Sequence, residues 1–126
     1  SISNAWSAIL PNYQAGQIIA IKVNFNDATT SSFGGGSGGY QDSDDYIDAL
    51  PQIVNSIVKG LKSIGVQESN IVVYDASRYI TDRFRNKIPY AIKYYDHYGT
   101  PADVQLAEFN SADSSAQINF ATSGYA

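Results

Sequence analysis

Gln17-Ile18-Ile19-Ala20-Ile21-Lys22-Val23-Asn24-Phe25 is a nearly unbroken apolar run of strand length, and Ile71-Val72-Val73-Tyr74-Asp75 is a second, rich in β-branched side chains. Between them Ile47, Leu50, Ile53, Val54, Ile57, Val58, Leu61 and Ile64 recur at steps of three and four, the spacing of one apolar helix face. Antiparallel strands can be joined by a tight turn, whereas parallel strands need a crossover, usually a helix. Continuous apolar strands linked in this way belong to parallel sheets covered by helices. Residues 17–77 therefore predict one βαβ unit with a right-handed crossover. The fold class that follows is α/β, a mainly parallel sheet with flanking helices around a Rossmann-like core.

Working outward, residues 3–10 predict a short helix with Ser3 as its cap and Trp6, Ile9 and Leu10 on one face, stopped by Pro11. Trp6 is expected to pack against the sheet edge. In the crossover helix Asp48 is the expected cap, Pro51 sits in the first turn, and Gly65 is the stop. Gly60, inside that helix, costs about 1 kcal/mol relative to Ala and points to a close helix–sheet approach. Downstream, residues 81–88 predict a short basic helix capped by Thr81 or Ser77. Residues 91–95 predict a third strand after Pro89. Residues 102–109 and 116–121 predict a C-terminal β-hairpin extending away from the main sheet, with the polar turn 110–115 between its arms. The 126 residues read as a single domain, or as the N-terminal part of a longer one.

Composition narrows the function classes. Hydrophobic residues make up 44% and charged residues 16%, the balance of a globular chain. A net charge of -4, with eight scattered Lys and Arg, argues against nucleic acid as a partner, since phosphate binding needs a basic stripe. No run approaches the roughly 20 apolar residues of a membrane span. No leader pattern is legible. The absence of Cys removes disulfides, thiol catalysis, zinc–cysteine sites and iron–sulfur ligation. With a single His, a transition-metal site would have to use carboxylates, and neither metal nor cofactor is expected. Ten Tyr, many small polar residues and few charges lean toward an exported protein.

The candidate site lies where open α/β sheets bind ligands, at the C-terminal ends of the strands. Lys22, Asn24 and Asn26 end the first strand, and Asp75, Ser77 and Arg78 end the second. For each group a plainer reading stands beside the functional one. Lys22 can snorkel to the sheet edge, and Asp75 and Ser77 can cap the next helix. Residues 28–45 read as a mobile linker or lid. The run 34–39 matches G-x-G-x-x-G by letters, but about ten polar residues separate it from the helix, unlike a true phosphate loop. Asp42, Asp44, Asp45 and Asp48 lack calcium-loop spacing and favour the helix dipole instead. His97, beside Asp96, reads as a loop residue.

The Ile-Lys-Val-Asn-Phe-Asn core ending at Asn26, the helix from Leu50 to Leu61, the turn Ile64-Gly65-Val66 and the segment ending in Tyr74-Asp75-Ala76-Ser77 resemble, in order, the opening elements of the DUF362 family of uncharacterised proteins. The resemblance covers roughly residues 13–88, the front portion of a family whose members are longer. It implies an α/β fold and little chemistry, and the iron–sulfur cysteines of some relatives have no counterpart here. Two function classes follow. The first is a binding or structural module, exported and associating with itself or another protein chain. The alternative is a small-ligand-binding or catalytic domain with its site at the two strand ends. No nucleophile–base–orienter set is legible, so the sequence leaves catalysis open.

Overall fold

The two apolar runs pair as parallel neighbours, with Ile19 beside Ile71, Ala20 beside Val72, Ile21 beside Val73 and Lys22 beside Tyr74. The computed structural model describes residues 4–25, 48–76, 78–97, 99 and 103–107. In chain order these form α1 (Ala5–Ile9), β1 (Ile19–Lys22), α2 (Pro51–Ser63), a 3-10 turn (Glu68–Asn70), β2 (Ile71–Asp75), α3 (Asp82–Arg85), β3 (Lys93–Asp96) and β4 (Val104–Leu106). The four strands make one sheet in the order β1-β2-β3-β4, and every pairing is parallel. The expected third strand is β3. Residues 104–106 join the main sheet beside it rather than extending away from it. The second arm of the expected hairpin, 116–121, lies outside the described residues, as does the glycine-rich segment of the 28–45 loop.

A strand order that follows the chain order moves each crossover the same way, so crossovers of one hand put their helices on one face. The core agrees. Val54, Val58 and Leu61 of α2 and Phe84 of α3 cluster with Ile71, Val73, Tyr94 and Val104, which share a single face of the sheet. Val23 and Phe25 continue past β1 into the same cluster, where Phe25 meets the Phe84 ring edge-on at 5.1 Å and 89°. The opposite face carries Ala20, Lys22, Val72, Tyr74, Lys93, Tyr95 and Gln105, all exposed or half-buried. β1 is an outer strand among the described residues, and its residues alternate between half-buried and exposed.

The crossover helix is shorter at its start than its apolar pattern suggests. Its N-cap is Leu50, with extended backbone and no side-chain cap, and not Asp48. Pro51 takes the first helical position, where its missing N–H has no intrahelical partner to lose. The buried stripe runs through Val54, Val58 and Leu61. Leu50 and Ile53 are 45% and 56% exposed, because Leu50 precedes the helix and Ile53 points away from the stripe. The stop is as expected. Gly65, at φ +90°, donates its N–H to Lys62 O at 3.0 Å, and Val66 N–H reaches Leu61 O at 3.2 Å. This pair of bonds closes the last turn and requires the left-handed backbone that glycine adopts without strain.

Gly60 serves a different contact from the one expected. A Cβ placed there would fall inside the indole of Trp6, so the close approach is between α2 and α1, not between α2 and the sheet. Trp6 accordingly lies over α2 and not on the sheet edge. The cap of α1 is Asn4 rather than Ser3. Its side chain accepts the Trp6 N–H at 3.0 Å and donates to Ser63 Oγ at 2.7 Å, tying α1 to the end of α2. No helix among the described residues is long and apolar enough to cross a membrane.

Candidate functional site

The parallel register brings Asp75 and Asp96 side by side at the C-terminal ends of β2 and β3, on the core face. Both are buried, at 2% and 0% exposure. A carboxylate this deep needs hydrogen-bond donors around it, and loop backbones supply them. Asp75 Oδ2 accepts the Phe25 N–H at 2.8 Å. Asp96 Oδ2 accepts the Ile80 N–H at 3.0 Å, and its Oδ1 accepts the Gly99 N–H at 2.7 Å. The two side chains therefore hold the segments leaving β1, β2 and β3. Asp75 sits at the rim as the sequence suggests, with its carboxylate anchoring backbone. Asp96 was missed, although Tyr74-Asp75 and Tyr95-Asp96 repeat one pattern at equivalent strand ends.

The remaining sequence candidates separate. Lys22 pairs laterally with Tyr74, so it lies on the face opposite Asp75. Its ammonium donates to the Asn24 side chain on that exposed face. Arg78 is half-buried, and its carbonyl accepts the His97 N–H at 3.2 Å. Asn26 and Ser77 lie outside the described residues. The register thus joins Lys22 to Asn24 and sets both apart from Asp75.

What the rim does hold is a cavity of about 340 Å³ between the start of α2 and α3. Phe25 and Phe84 form apolar wall, and Leu50, Pro51 and Gln52 bring in the beginning of α2. Thr81, Arg83, Lys87 and Asp48 supply the polar groups. Phe25, after β1, and Asp48, before α2, both line the cavity. α3 is placed locally by Thr81, whose hydroxyl accepts the Phe84 N–H at 3.2 Å. Asn55 Nδ2 donates to Lys87 O at 2.9 Å and holds the end of that turn against α2. The sequence reading of 81–88 as a short basic helix did not place Arg83 and Lys87 at a cavity. Their alternation with Phe84 and Ile88 was the available signal. Among the described residues no three His, Asp or Glu side chains gather to hold a metal ion.

Electrostatics around β3 are set by burial. The Tyr94 phenol is pushed up to about 12, chiefly by burial, with the nearby Arg85 charge working in the other direction. Its hydroxyl has no hydrogen-bond partner among the described residues, and the Arg85 guanidinium lies 5.9 Å from its ring centre. Burial also acts against the charge on Arg85, but its hydrogen bond to Asp82 and the fields of Asp103 and Asp82 outweigh that and raise it. In the turn that leads into the N-terminal end of β2, the Lys62 ammonium and then the Ala91 N–H hold Glu68 below the usual carboxylate range.

The raised Tyr94 phenol gives a pH prediction. In the unfolded chain an ordinary tyrosine ionises near pH 10. The folded group stays neutral to about 12. The neutral phenol costs the fold nothing further below pH 10, and folding stability falls as pH rises from 10 through 12, where the unfolded chain ionises this group and the folded one resists. Tyr94→Phe keeps the ring beneath Arg85 and deletes an unpartnered hydroxyl. It should be neutral to stabilising by about 1 kcal/mol near pH 7 and should remove that part of the alkaline loss. Urea melts of both proteins from pH 8 to 12 check this, and parallel pH profiles would contradict it.

Fold and rim together define a parallel α/β domain with helices on the core face and a ligand-sized cavity at the strand ends. No family model, curated protein or solved structure matches the chain.

Proposed function

We propose that this chain is a small-ligand-binding α/β domain that takes its ligand in the rim cavity between α2 and α3. The carrying observation is the cavity itself, about 340 Å³ at the edge where parallel sheets bind ligands, with aromatic wall on one side and Gln52, Thr81, Arg83 and Lys87 converging on it. Volume and lining suit a small molecule with an apolar body and a hydrogen-bond-accepting or anionic end. A panel of small carboxylates, phosphate esters and sugars, screened by NMR, should shift the amides of residues 49–53 and 81–87. Arg83→Leu together with Gln52→Leu should weaken any such ligand by about tenfold or more, the usual cost of losing charge-assisted bonds. No shifts across the panel, or shifts confined to another region, would remove the reading.

A second reading, an exported module that associates with itself, is favoured by one observation. Among the described residues β1 and β4 each pair on one side only, and outer strands with open backbone groups recruit further strands. Light scattering across a concentration series distinguishes an assembling chain from a 13.6 kDa monomer.

A further inference from the structure

The sheet face turned away from α2 and α3 is a surface of a different kind from the rim. Parallel sheets are normally covered by helices on both faces, because their strands cannot leave one side to water as antiparallel strands do. Among the described residues the strand order puts the sheet-packed helices α2 and α3 on one face, and the other presents Ala20, Val72, Tyr74 and Tyr95 with Lys22, Lys93 and Gln105. Acidic residues outnumber basic ones 12 to 8 in the chain, yet these seven positions hold two lysines and no carboxylate. The placement of the lysines is specific. Lys22 is on β1 and Lys93 on β3, so they flank β2 from either side. They are offset by two residues along the strands, since Lys22 aligns with Tyr74 and Lys93 with Val72, and across the strands they lie two spacings apart, about 10 Å. That matches the width of one α-helix, about 10–12 Å with side chains. A helix laid along β2 would set an apolar stripe on Val72 and Tyr74, approach closely over Ala20, and carry its two flanks past the two ammonium groups.

We propose that this face docks an amphipathic helix of a partner protein, with an apolar stripe bordered on both sides by acidic residues. Charge complementarity selects that occupant over a basic or neutral helix. The face lies across the sheet from the rim cavity, so the result is independent of ligand binding there.

The test uses two labelled helical peptides of about 18 residues, each roughly 27 Å long. Both have the same leucine stripe, one with glutamate and the other with lysine on its flanks. Fluorescence anisotropy should show the glutamate peptide binding at least about tenfold more tightly, since like charges facing each other are strongly disfavoured at an interface. Lys22→Glu combined with Lys93→Glu should reverse the preference. These are exposed positions, so the fold should tolerate the change. Tyr95→Ala should weaken both peptides, and Arg83→Leu, across the sheet, should affect neither. Equal binding of the two peptides, or binding unaffected by the double charge reversal, overturns the proposal. Sedimentation showing a dimer that the charge reversal abolishes assigns the face to a second copy and overturns it equally. So does a free chain in which Lys22 and Lys93 resist acetylation by a small reagent, with neither peptide bound.

Discussion

Asp96→Ala should destabilise the fold by about 3 kcal/mol, a large share of the roughly 5–15 kcal/mol that holds a domain of this kind together. The carboxylate is fully buried and receives the Ile80 and Gly99 amides, and removing it leaves the buried Ile80 donor and the half-buried Gly99 donor without this acceptor. Each stranded donor costs about 1–3 kcal/mol. Relief of the buried charge next to Asp75 offsets part of that, which is why the expected loss is below the simple sum. Asp75→Ala strands the Phe25 amide and should cost less, about 1–2 kcal/mol. Asp96→Asn should fall between, because an amide oxygen can still accept one of the two N–H groups. Urea denaturation at pH 7 orders the three variants. An Asp96→Ala protein within 1 kcal/mol of the parent, by the usual scale of surface substitutions, would mean that the loops do not depend on this carboxylate. Hydrogen exchange adds a second readout, since the Ile80 and Gly99 amides should lose protection before the strand centres do.

How much of this was legible depends on how far each inference reaches along the chain. The parallel βαβ core could be read because its signal is local. Two apolar runs and the 3.6-residue stripe through Val54, Val58 and Leu61 need no knowledge of the rest of the fold. The rim cluster could not be assembled from sequence, because register decides faces and a one-residue slip exchanges them. Lys22 and Asp75 both end strands, yet Lys22 aligns with Tyr74, so the two side chains leave opposite faces. The Tyr-Asp repeat marks Asp96, but its anchoring role was hidden for a related reason. Its donors, Ile80 and Gly99, come from either side in sequence and meet only once β2 and β3 are paired. Residues 104–106 show the limit for strands, since the alternation of an outer parallel strand and that of a hairpin arm are the same pattern. Arg83 and Lys87 read only as the charges of a short basic helix because α3 is a single turn, and only the neighbouring start of α2 makes their surroundings a cavity.

The contact between Gly60 and Trp6 predicts a reversal of sign. On helix propensity alone, Gly60→Ala should stabilise α2 by about 1 kcal/mol. In this fold the added methyl falls inside the indole of Trp6, a rigid ring that cannot bend out of the way. Overpacking of this kind costs about 1–3 kcal/mol, or α1 must lift from α2 and surrender the Asn4–Ser63 bond. The substitution should therefore destabilise the parent protein by about 1–2 kcal/mol. In a Trp6→Ala background the space is open and only propensity remains, so Gly60→Ala should there stabilise by about 0.5–1 kcal/mol. The coupling between the two sites is then about 2 kcal/mol, well outside the range of independent positions. Trp6 is the only tryptophan, so its emission reports the same event directly and should move to longer wavelength in Gly60→Ala as α1 is displaced. Stabilisation of the parent by Gly60→Ala with unchanged emission would show that α1 does not rest on α2 in solution. The reversal isolates packing from propensity at one atom. A glycine that looks like a weak point in the helix is the position that lets the N-terminal segment close over it.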